Sequence, residues 1–360
     1  MFVYIGIAYL AVQFWQWIQF MRYKAKAQGS PAEWPQISVW VAARNEEQNL
    51  EACLLSLLAM DYPSDKLQII VGNDQSTDST KDIALKLAKN HNQILVIDIE
   101  NHPELKAKAR VMAQIDKHAH GEFYLITDAD VVVKATWAKE MIRQLTENTG
   151  VASGTTMVRA NGFWGTMQSM DWAYFMGLLN VISYSGIPAT AVGNNMIVRK
   201  KAYWETGGYG AIKFSITEDY KLYSEVCAKG WKWKNIMNPQ VLAYSLPTTG
   251  FFKLLHQRKR WLSGGKALPW YWWVLFGIFG LYYFIIPALL FTQPIAAVAL
   301  IMAKFGLQYL HIHRIYSLIN EPQPPILTHI KYEFYLFILT ISTAIFFIIP
   351  VKTVWKGRAY

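Results

Sequence analysis

Two aspartates separated by one alanine, Asp128 and Asp130, follow the apolar run at residues 123–126 with only Thr127 between. That run reads as a strand buried on both faces, which puts both carboxylates at its C-terminal end. In open α/β sheets, ligands bind outside the carboxyl ends of the strands. Two anions this close cost free energy unless a cation neutralises them, and a divalent ion holding a phosphate would do so. The plainer alternative has Asp128 capping the next helix and Asp130 solvated.

Further stretches carry residues of the same kind. Ala42-Ala43-Arg44-Asn45-Glu46-Glu47 and Gly72-Asn73-Asp74-Gln75-Ser76-Thr77-Asp78 each follow an apolar run. Ser76, Thr77 and Asp78 suit plain turn and cap chemistry. Asp74 sits at the strand end itself, where a carboxylate can accept a hydrogen bond from a base N–H. Thr217-Glu218-Asp219 opens a helix, and acids there also have an ordinary reading, because they offset the macrodipole. Gln257-Arg258-Lys259-Arg260-Trp261 precedes a long apolar region. It is either a juxtamembrane basic cluster or a diphosphate clamp with an aromatic platform for a sugar ring. No Gly-x-Gly-x-x-Gly follows the first strand, and Gly264-Gly265-Lys266 lacks the upstream glycine of a phosphate-binding loop.

The elements that must position these residues follow from periodicity. Apolar runs at 37–41, 67–71, 94–97 and 123–126 alternate with helical stretches at 46–60, 78–90 and 106–118. Strand–helix alternation at this spacing means a mostly parallel sheet covered by helices, with the strand-end loops gathered on one edge. Another strand is expected over 150–158. Residues 163–183, rich in tryptophan and methionine, read as a core or membrane-facing helix rather than an acceptor groove. Val192-Gly193-Asn194-Asn195 and Thr206-Gly207-Gly208-Tyr209 read as turns, or as a floor where backbone approaches a ligand.

Composition bounds the class. Of 360 residues, 53% are hydrophobic and 17% charged, which points to a membrane. The net charge of +10 comes in small clusters, Lys106/Lys108/Arg110 among them. Such clusters fit an anionic membrane surface and an anionic ligand; no basic stripe suggests nucleic acid. Cys53 and Cys227 lack a metal-ligand spacing. Residues 1–21 are long and apolar enough to span a bilayer. Arg22, Lys24 and Lys26 follow, placing the N-terminus outside and the rest in the cytoplasm. Gln13, Gln16 and Gln19 share a helix face expected to look toward protein rather than lipid. At the other end two layouts compete. One is a two-pass hairpin over 268–303 plus a third crossing. The other lays residues 270–273 in the interface, spans at about 283–303 and returns at 334–350. The second is expected, because it keeps Lys352, Lys356 and Arg358 inside. The expected domains are an N-terminal anchor and linker (1–30), a cytoplasmic catalytic domain (31–266), and an interfacial and transmembrane region with a basic tail (267–360).

In one order, Ala43-Arg44-Asn45-Glu46, Asn73-Asp74-x-Ser76-Thr77-Asp78, Lys108, Asp128-x-Asp130, Thr217-Glu218-Asp219 and Gln257-x-x-Arg260-Trp261 resemble the membrane-bound family 2 glycosyltransferases, a group that includes ceramide glucosyltransferases and the synthases of cellulose and hyaluronan. The resemblance covers about residues 36–266, and the ending Trp355-Lys356-Gly357-Arg358-x-Tyr360 is similar to the tail of ceramide-glucosyltransferase-like members. It implies an α/β, GT-A-type domain flanked by N- and C-terminal transmembrane helices, and a nucleotide-diphosphate sugar donor, most often a UDP-sugar. By match, Arg44, Glu46 and Asp74 belong to the donor site, with Asp74 on the base and Lys108 nearby. Asp128 and Asp130 organise Mg²⁺ or Mn²⁺ on the diphosphate. Asp219 is the general base, and Gln257, Arg260 and Trp261 border diphosphate and acceptor. Gln75 stands where members usually carry glycine. The implied activity is metal-dependent, inverting hexosyl transfer to a hydroxyl of a membrane-associated acceptor, a lipid such as ceramide or diacylglycerol. A processive polysaccharide synthase with a glycan acceptor competes, although few membrane segments are available for a translocation channel. A nucleotidyltransferase would also use Asp-x-Asp but leaves Gln257-x-x-Arg260-Trp261 unexplained.

Overall fold

The first four apolar runs become β1 (Ile37–Ala43), β2 (Leu67–Asn73), β3 (Ile94–Asp98) and β4 (Phe123–Asp128), all parallel. They belong to a computed structural model that describes residues 2–24, 29–159, 161–265, 268–351, 354–355 and 358–359. β1 is innermost: Ile37 pairs with Leu67 on one side and Phe123 on the other. Burial on both faces is why these runs are continuous rather than alternating. β5 (Val132–Val133), β6 (Thr149–Ser153), β7 (Thr156–Val158), β8 (Asn195–Arg199), β9 (Lys232–Asn235) and β10 (Ala243–Ser245) follow. The main sheet runs β3-β2-β1-β4-β8-β6-β9, with β8 antiparallel to both neighbours, and β5, β10 and β7 form a small second sheet. Helices Leu50–Leu58, Thr80–Asn90 and Ala107–Ile115 connect the parallel strands. Together with the rest of Lys24–Ala160 and Ile182–Leu246 they make one compact unit.

The strand expected over 150–158 is split into β6 and β7, which join different sheets. The break lies at Gly154-Thr155, where the backbone passes against Asn195. A Cβ on Gly154 would lie 2.5 Å from Asn195 Oδ1. That amide donates to the carbonyls of Thr155 and Val241, 3.0 Å each, and accepts from Trp137 Nε1 at 2.8 Å. One buried side chain thus joins four segments.

Beneath the sheet, Trp40 stacks on Tyr124, and both meet Tyr203 edge-on. The Tyr203 hydroxyl donates to Asp116 Oδ2 at 2.6 Å and accepts from the Tyr209 N–H at 2.9 Å. It thereby ties down the turn at Gly207 and Gly208, whose φ of +81° and +66° suits glycine. Burial pushes the Asp116 carboxyl above the usual aspartate range.

The second unit comprises Met1–Tyr23, Asn161–Val181 and Pro247–Tyr360. Its helix Phe2–Arg22 buries Gly6, Tyr9, Gln13, Gln16 and Phe20, spaced three and four apart on one face. Gln13 donates to Tyr9 OH at 3.1 Å and accepts from Tyr174 OH at 2.8 Å. The expected inward face therefore holds for Gln13 and Gln16. Gly6 permits close helix approach, since a Cβ there would lie 2.6 Å from Leu300.

Trp270–Thr292, Pro294–Ile319 and Ile326–Ile348 are long and apolar enough to cross a bilayer. This corrects the expected layout. The chain breaks at Gln293, inside the span expected at 283–303, because Pro294 starts a new helix. Residues 270–273 open the first of these helices rather than forming a separate interfacial segment. Pro294–Ile319 continues past residue 303, the expected end of that span, because Lys304, Gln308 and His311 are buried within the unit. Lys304 forms an ion pair with Glu333 and lies 5.3 Å from the centre of the Tyr283 ring. The expected basic tail falls on Lys352 and Lys356, outside the described residues, and on Arg358, whose backbone alone is described.

Removing one partner of a buried pair leaves an uncompensated charge. Lys304→Ala or Glu333→Ala should therefore cost about 3 kcal/mol or more, and Lys304→Met with Glu333→Leu much less; thermal unfolding of detergent-solubilised protein measures both. For Asp116, the native state keeps its proton at pH values where the unfolded chain has lost it. Stability is therefore lost as pH rises from the ordinary aspartate value through the raised one. Asp116→Asn should show no such loss and be at least as stable at pH 7, read as the difference in Tm between variant and parent from pH 4 to 7.

Candidate active site

Register brings the chemistry to one edge. Ala43 pairs with Asn73 and Ala42 with Asp128, so the loops carrying Arg44 and Asp74 start beside Asp128. The helix Ala107–Ile115 supplies two cations, Lys108 and Arg110, which are about 200° apart around its axis and serve different acids. Arg110 pairs with Asp74 Oδ1 through Nη2 and donates from Nη1 to Asn101 Oδ1 at 2.9 Å. Arg44 Nη1 donates to the Asp74 carbonyl at 2.7 Å and lies 4.0 Å from its carboxylate. Asp74 is thus bracketed by two guanidiniums.

Lys108 serves the other side. Its Nζ donates to Asp128 Oδ1 at 2.6 Å and to the Gly193 carbonyl at 3.1 Å, and lies 3.6 Å from Glu218 Oε1. Asp219 Oδ2 accepts from Gly193 N–H at 2.9 Å and Oδ1 from Tyr220 N–H at 2.8 Å. Gly193 is therefore held at its carbonyl by the lysine and at its N–H by the aspartate. The Lys108 side chain is 11% exposed and that of Asp128 39%, so a ligand can reach the acid while the lysine supports it from the interior. Burial alone would lower Lys108; the Asp128 and Glu218 carboxylates outweigh it and hold the ammonium above the usual lysine range. Burial raises Glu218, Lys108 pulls it back, and Asp219 pushes it up again, leaving it above the usual glutamate range. Glu46 is turned into the local fold. Its N–H donates to Thr80 Oγ1 at 2.7 Å and Oε2 accepts from Asn49 at 2.8 Å.

Arg110 and Glu218 were not singled out by sequence as site residues. Both lie in stretches that were, the Lys106/Lys108/Arg110 cluster and Thr217-Glu218-Asp219. Spacing alone does not reveal which acid each cation meets.

Four described residues other than glycine have positive φ, and three adjoin the site: Asn45 at 51°, Gln75 at 55° and Ala107 at 50°. They neighbour Arg44, Asp74 and Lys108. A Cβ in this region clashes with the following carbonyl, so such conformations persist where surrounding structure enforces them. This accounts for the departure at Gln75, where glycine would adopt the same φ without strain. Gln75 Nε2 instead donates to Asn101 Oδ1 at 2.9 Å, the oxygen that also accepts from Arg110.

Asp128 and Asp130 fit a hard divalent cation. Both are partly exposed at the end of β4 with buried Ala129 between them. Their charge is concentrated enough that, after burial itself, Asp130 and Asp128 are the next largest influences raising the Cys53 thiol. Among the described residues no group of three or more His, Cys, Asp or Glu is arranged to hold an ion alone. An ion there would complete its shell from ligand oxygens and water, as Mg²⁺ commonly does.

Gln257, Arg260 and Trp261 lie on Phe251–Gly264 in the helical unit, spaced to share one face. Arg44, Asp74, Lys108, Asp128, Asp130 and Asp219 lie in the sheet unit.

The sheet, with its acids at the strand ends, defines an α/β fold of the GT-A type. The sequence pattern of glycosyl transferase family 21 matches residues 1–353, and the chain belongs to that family. The glycosyltransferase resemblance read from the motifs is thereby borne out. The chain is 26% identical over 250 residues to a beta-monoglucosyldiacylglycerol synthase of Synechocystis, covering 68% of this chain and 51% of that protein. It is 26% identical over 241 residues to a poly-beta-1,6-N-acetyl-D-glucosamine synthase of Staphylococcus aureus, covering 64% and 55%. It thus spans about half the length of these relatives. In structure it is similar to the mannosyltransferase PcManGT of Pyrobaculum calidifontis, solved with GDP-Man and Mn²⁺, with a TM-score of 0.62, 18% identity, and coverage of 97% and 99%.

The close approach at Gly193 yields a test. A Cβ there would lie 2.8 Å from Asp219 Cβ and 3.1 Å from its Oδ2. Gly193→Ala should displace the carboxylate and lower donor turnover on the order of 10²-fold, the scale of a small misplacement at a reacting centre. Gly210→Ala, with open space around it, should leave turnover unchanged. Labelled-donor assays on both variants decide it.

Proposed function

We propose that this chain is an inverting glycosyltransferase that moves a hexosyl group from a UDP-sugar to a hydroxyl of a membrane-associated lipid. The observation that carries the reading is the Lys108 junction, which joins the acid at the end of β4 to the segment holding Asp219. The catalytic region is residues 31–266, facing the cytoplasm, with residues 1–30 as anchor and 267–360 in and at the membrane. Lipid acceptance is supported by the three long apolar helices and by the similarity to a monoglucosyldiacylglycerol synthase.

In this reading Asp74, oriented by Arg44 and Arg110, receives the base, and Glu46 shapes the adjoining loop. Asp128 and Asp130 would hold Mg²⁺ or Mn²⁺, which would supply positive charge to the diphosphate leaving group. Lys108 adds its charge at Asp128, and Arg260, with Gln257, stabilises the developing negative charge. Trp261 faces the sugar or acceptor. The acceptor hydroxyl is a weak nucleophile and loses its proton to Asp219 as the new C–O bond forms. The two backbone N–H groups on Asp219 fix the direction of its carboxylate. One displacement inverts the anomeric carbon.

The similarity to a poly-N-acetylglucosamine synthase favours a second reading, processive synthesis on a glycan acceptor. Incubating native membranes with a panel of labelled nucleotide sugars, with and without EDTA, tests both. Label extractable into organic solvent and lost with EDTA supports lipid transfer; label in high-mass polymer supports the second reading; no turnover of any donor refutes both. Asp219→Asn should lower kcat by about 10²- to 10⁴-fold with donor KM little changed. Near-normal turnover in that variant, with loss in Glu218→Gln, would move the base to Glu218.

A further inference from the structure

The stretch Gln257-Arg258-Lys259-Arg260-Trp261 holds two residues that the proposed chemistry does not use. Successive helix positions are about 100° apart, so Lys259 points away from Gln257, Arg260 and Trp261, while Arg258, three residues before Trp261, borders its side of that face. Lys259 is buried and reaches the end of Ile326–Ile348, donating to the carbonyls of Phe346, at 3.1 Å, and Ile349. His256 meets the Phe346 ring edge-on at 5.0 Å. These contacts fasten Phe251–Gly264 to the last apolar helix, where a cation also suits the exposed carbonyls of a helix C-terminus.

Arg258 goes elsewhere. Its guanidinium pairs with Asp171 of Gly162–Tyr184 and lies over the Trp261 ring, 4.6 Å from the centroid. On the same helix as Asp171, Trp172 meets Trp261 edge-on at 5.6 Å, and Phe175 lies nearly parallel to it at 6.5 Å. Trp261 is thus flanked by one cation and two rings, and Asp171 fixes the cation. Side-chain exposures of 16% for Arg258 and 14% for Asp171 keep the pair out of bulk solvent, where ion pairs contribute little.

We propose that Asp171 is a positioning residue for sugar transfer: through Arg258 it sets the Trp261 ring and the rotation of the helix face that carries Gln257 and Arg260. The proposal rests on the glycosyltransferase reading for the role of that face, while the geometry it describes is internal to the helical unit. Lys259 and His256 determine where the helix docks, and Asp171 determines how its functional face is turned. A variant at Asp171 should therefore stay folded yet lose turnover.

The test compares full-length parent and Asp171→Asn in nanodiscs. Emission from Trp261 is isolated by subtracting the spectrum of Trp261→Phe in each background. Asp171→Asn should shift this difference emission to longer wavelength and increase its quenching by acrylamide. With labelled donor, kcat should fall about tenfold or more while donor KM stays within threefold. An unchanged Trp261 spectrum, or a kcat within twofold of the parent, overturns the proposal. If Asp171→Asn does not fold, Asp171→Glu, which keeps the charge on a longer arm, is read by the same criteria. If the parent turns over no donor, the glycosyltransferase reading fails, and the emission comparison alone decides the positioning.

Discussion

The site depends on one buried ammonium. Lys108 lies among Asp128, Glu218 and Asp219, acids from segments far apart in sequence. Without a cation their mutual repulsion and lost hydration would push them apart or force one to take a proton. With it, the end of β4, the turn before β8 and the start of Glu218–Ala228 can converge. The antiparallel pairing of β4 with β8 makes this possible, because Thr127 opposite Asn195 leaves Gly193 just beyond the strand, within reach of the lysine. Thr127 Oγ1 donates to the Asn194 carbonyl at 3.0 Å, and Thr156 Oγ1 donates to the Asn194 side chain at 2.9 Å, closing the turn from both sides. The glycine is then required by space: the aspartate backs directly onto its Cα.

A similar logic governs Asp74, with guanidiniums in place of the ammonium. Arg44 holds its carbonyl and Arg110 its carboxylate, while Asn101 joins Arg110 to Gln75 in the same loop. The acid is pre-oriented before any ligand arrives, and such orientation lowers the reorganisation needed on binding. Its cost appears in the backbone, where Asn45, Gln75 and Ala107 all sit in the left-handed region next to the residues they orient. The charge network and the strained loops therefore coincide: the many hydrogen bonds at this edge hold conformations that the local chain would not choose.

The parallel half of the fold was legible in the sequence because double burial leaves continuous apolar runs. β8, although central, was not, since Asn195–Arg199 begins with the buried asparagine that closes a turn and is only five residues long. The acids of the site were visible from their positions at strand and helix ends. Their partners were not, because Arg110 and Lys108 look alike in a basic cluster and diverge only when wound on a helix. The membrane layout failed for a related reason. A run of apolar residues does not mark its own midpoint, and Lys304 inside the second helix makes the segment look polar until Glu333 is found beside it.

The five residues Gln257 to Trp261 show how both readings of one motif can hold. As a basic cluster beside an apolar region they behave as anchors: Lys259 is spent on the carbonyl end of Ile326–Ile348 and Arg258 on Asp171. Under the proposed function Gln257 and Arg260 serve the ligand, and Trp261 lies between that face and Arg258. A helix eases the conflict by turning Lys259 away from Gln257 and Trp261, while Arg258, three residues before Trp261, stays beside its ring. The anchors then constrain the motif more tightly than apolar packing alone could. A buried ion pair demands a particular partner in a particular place, and Trp261, lying beneath Arg258, inherits that demand.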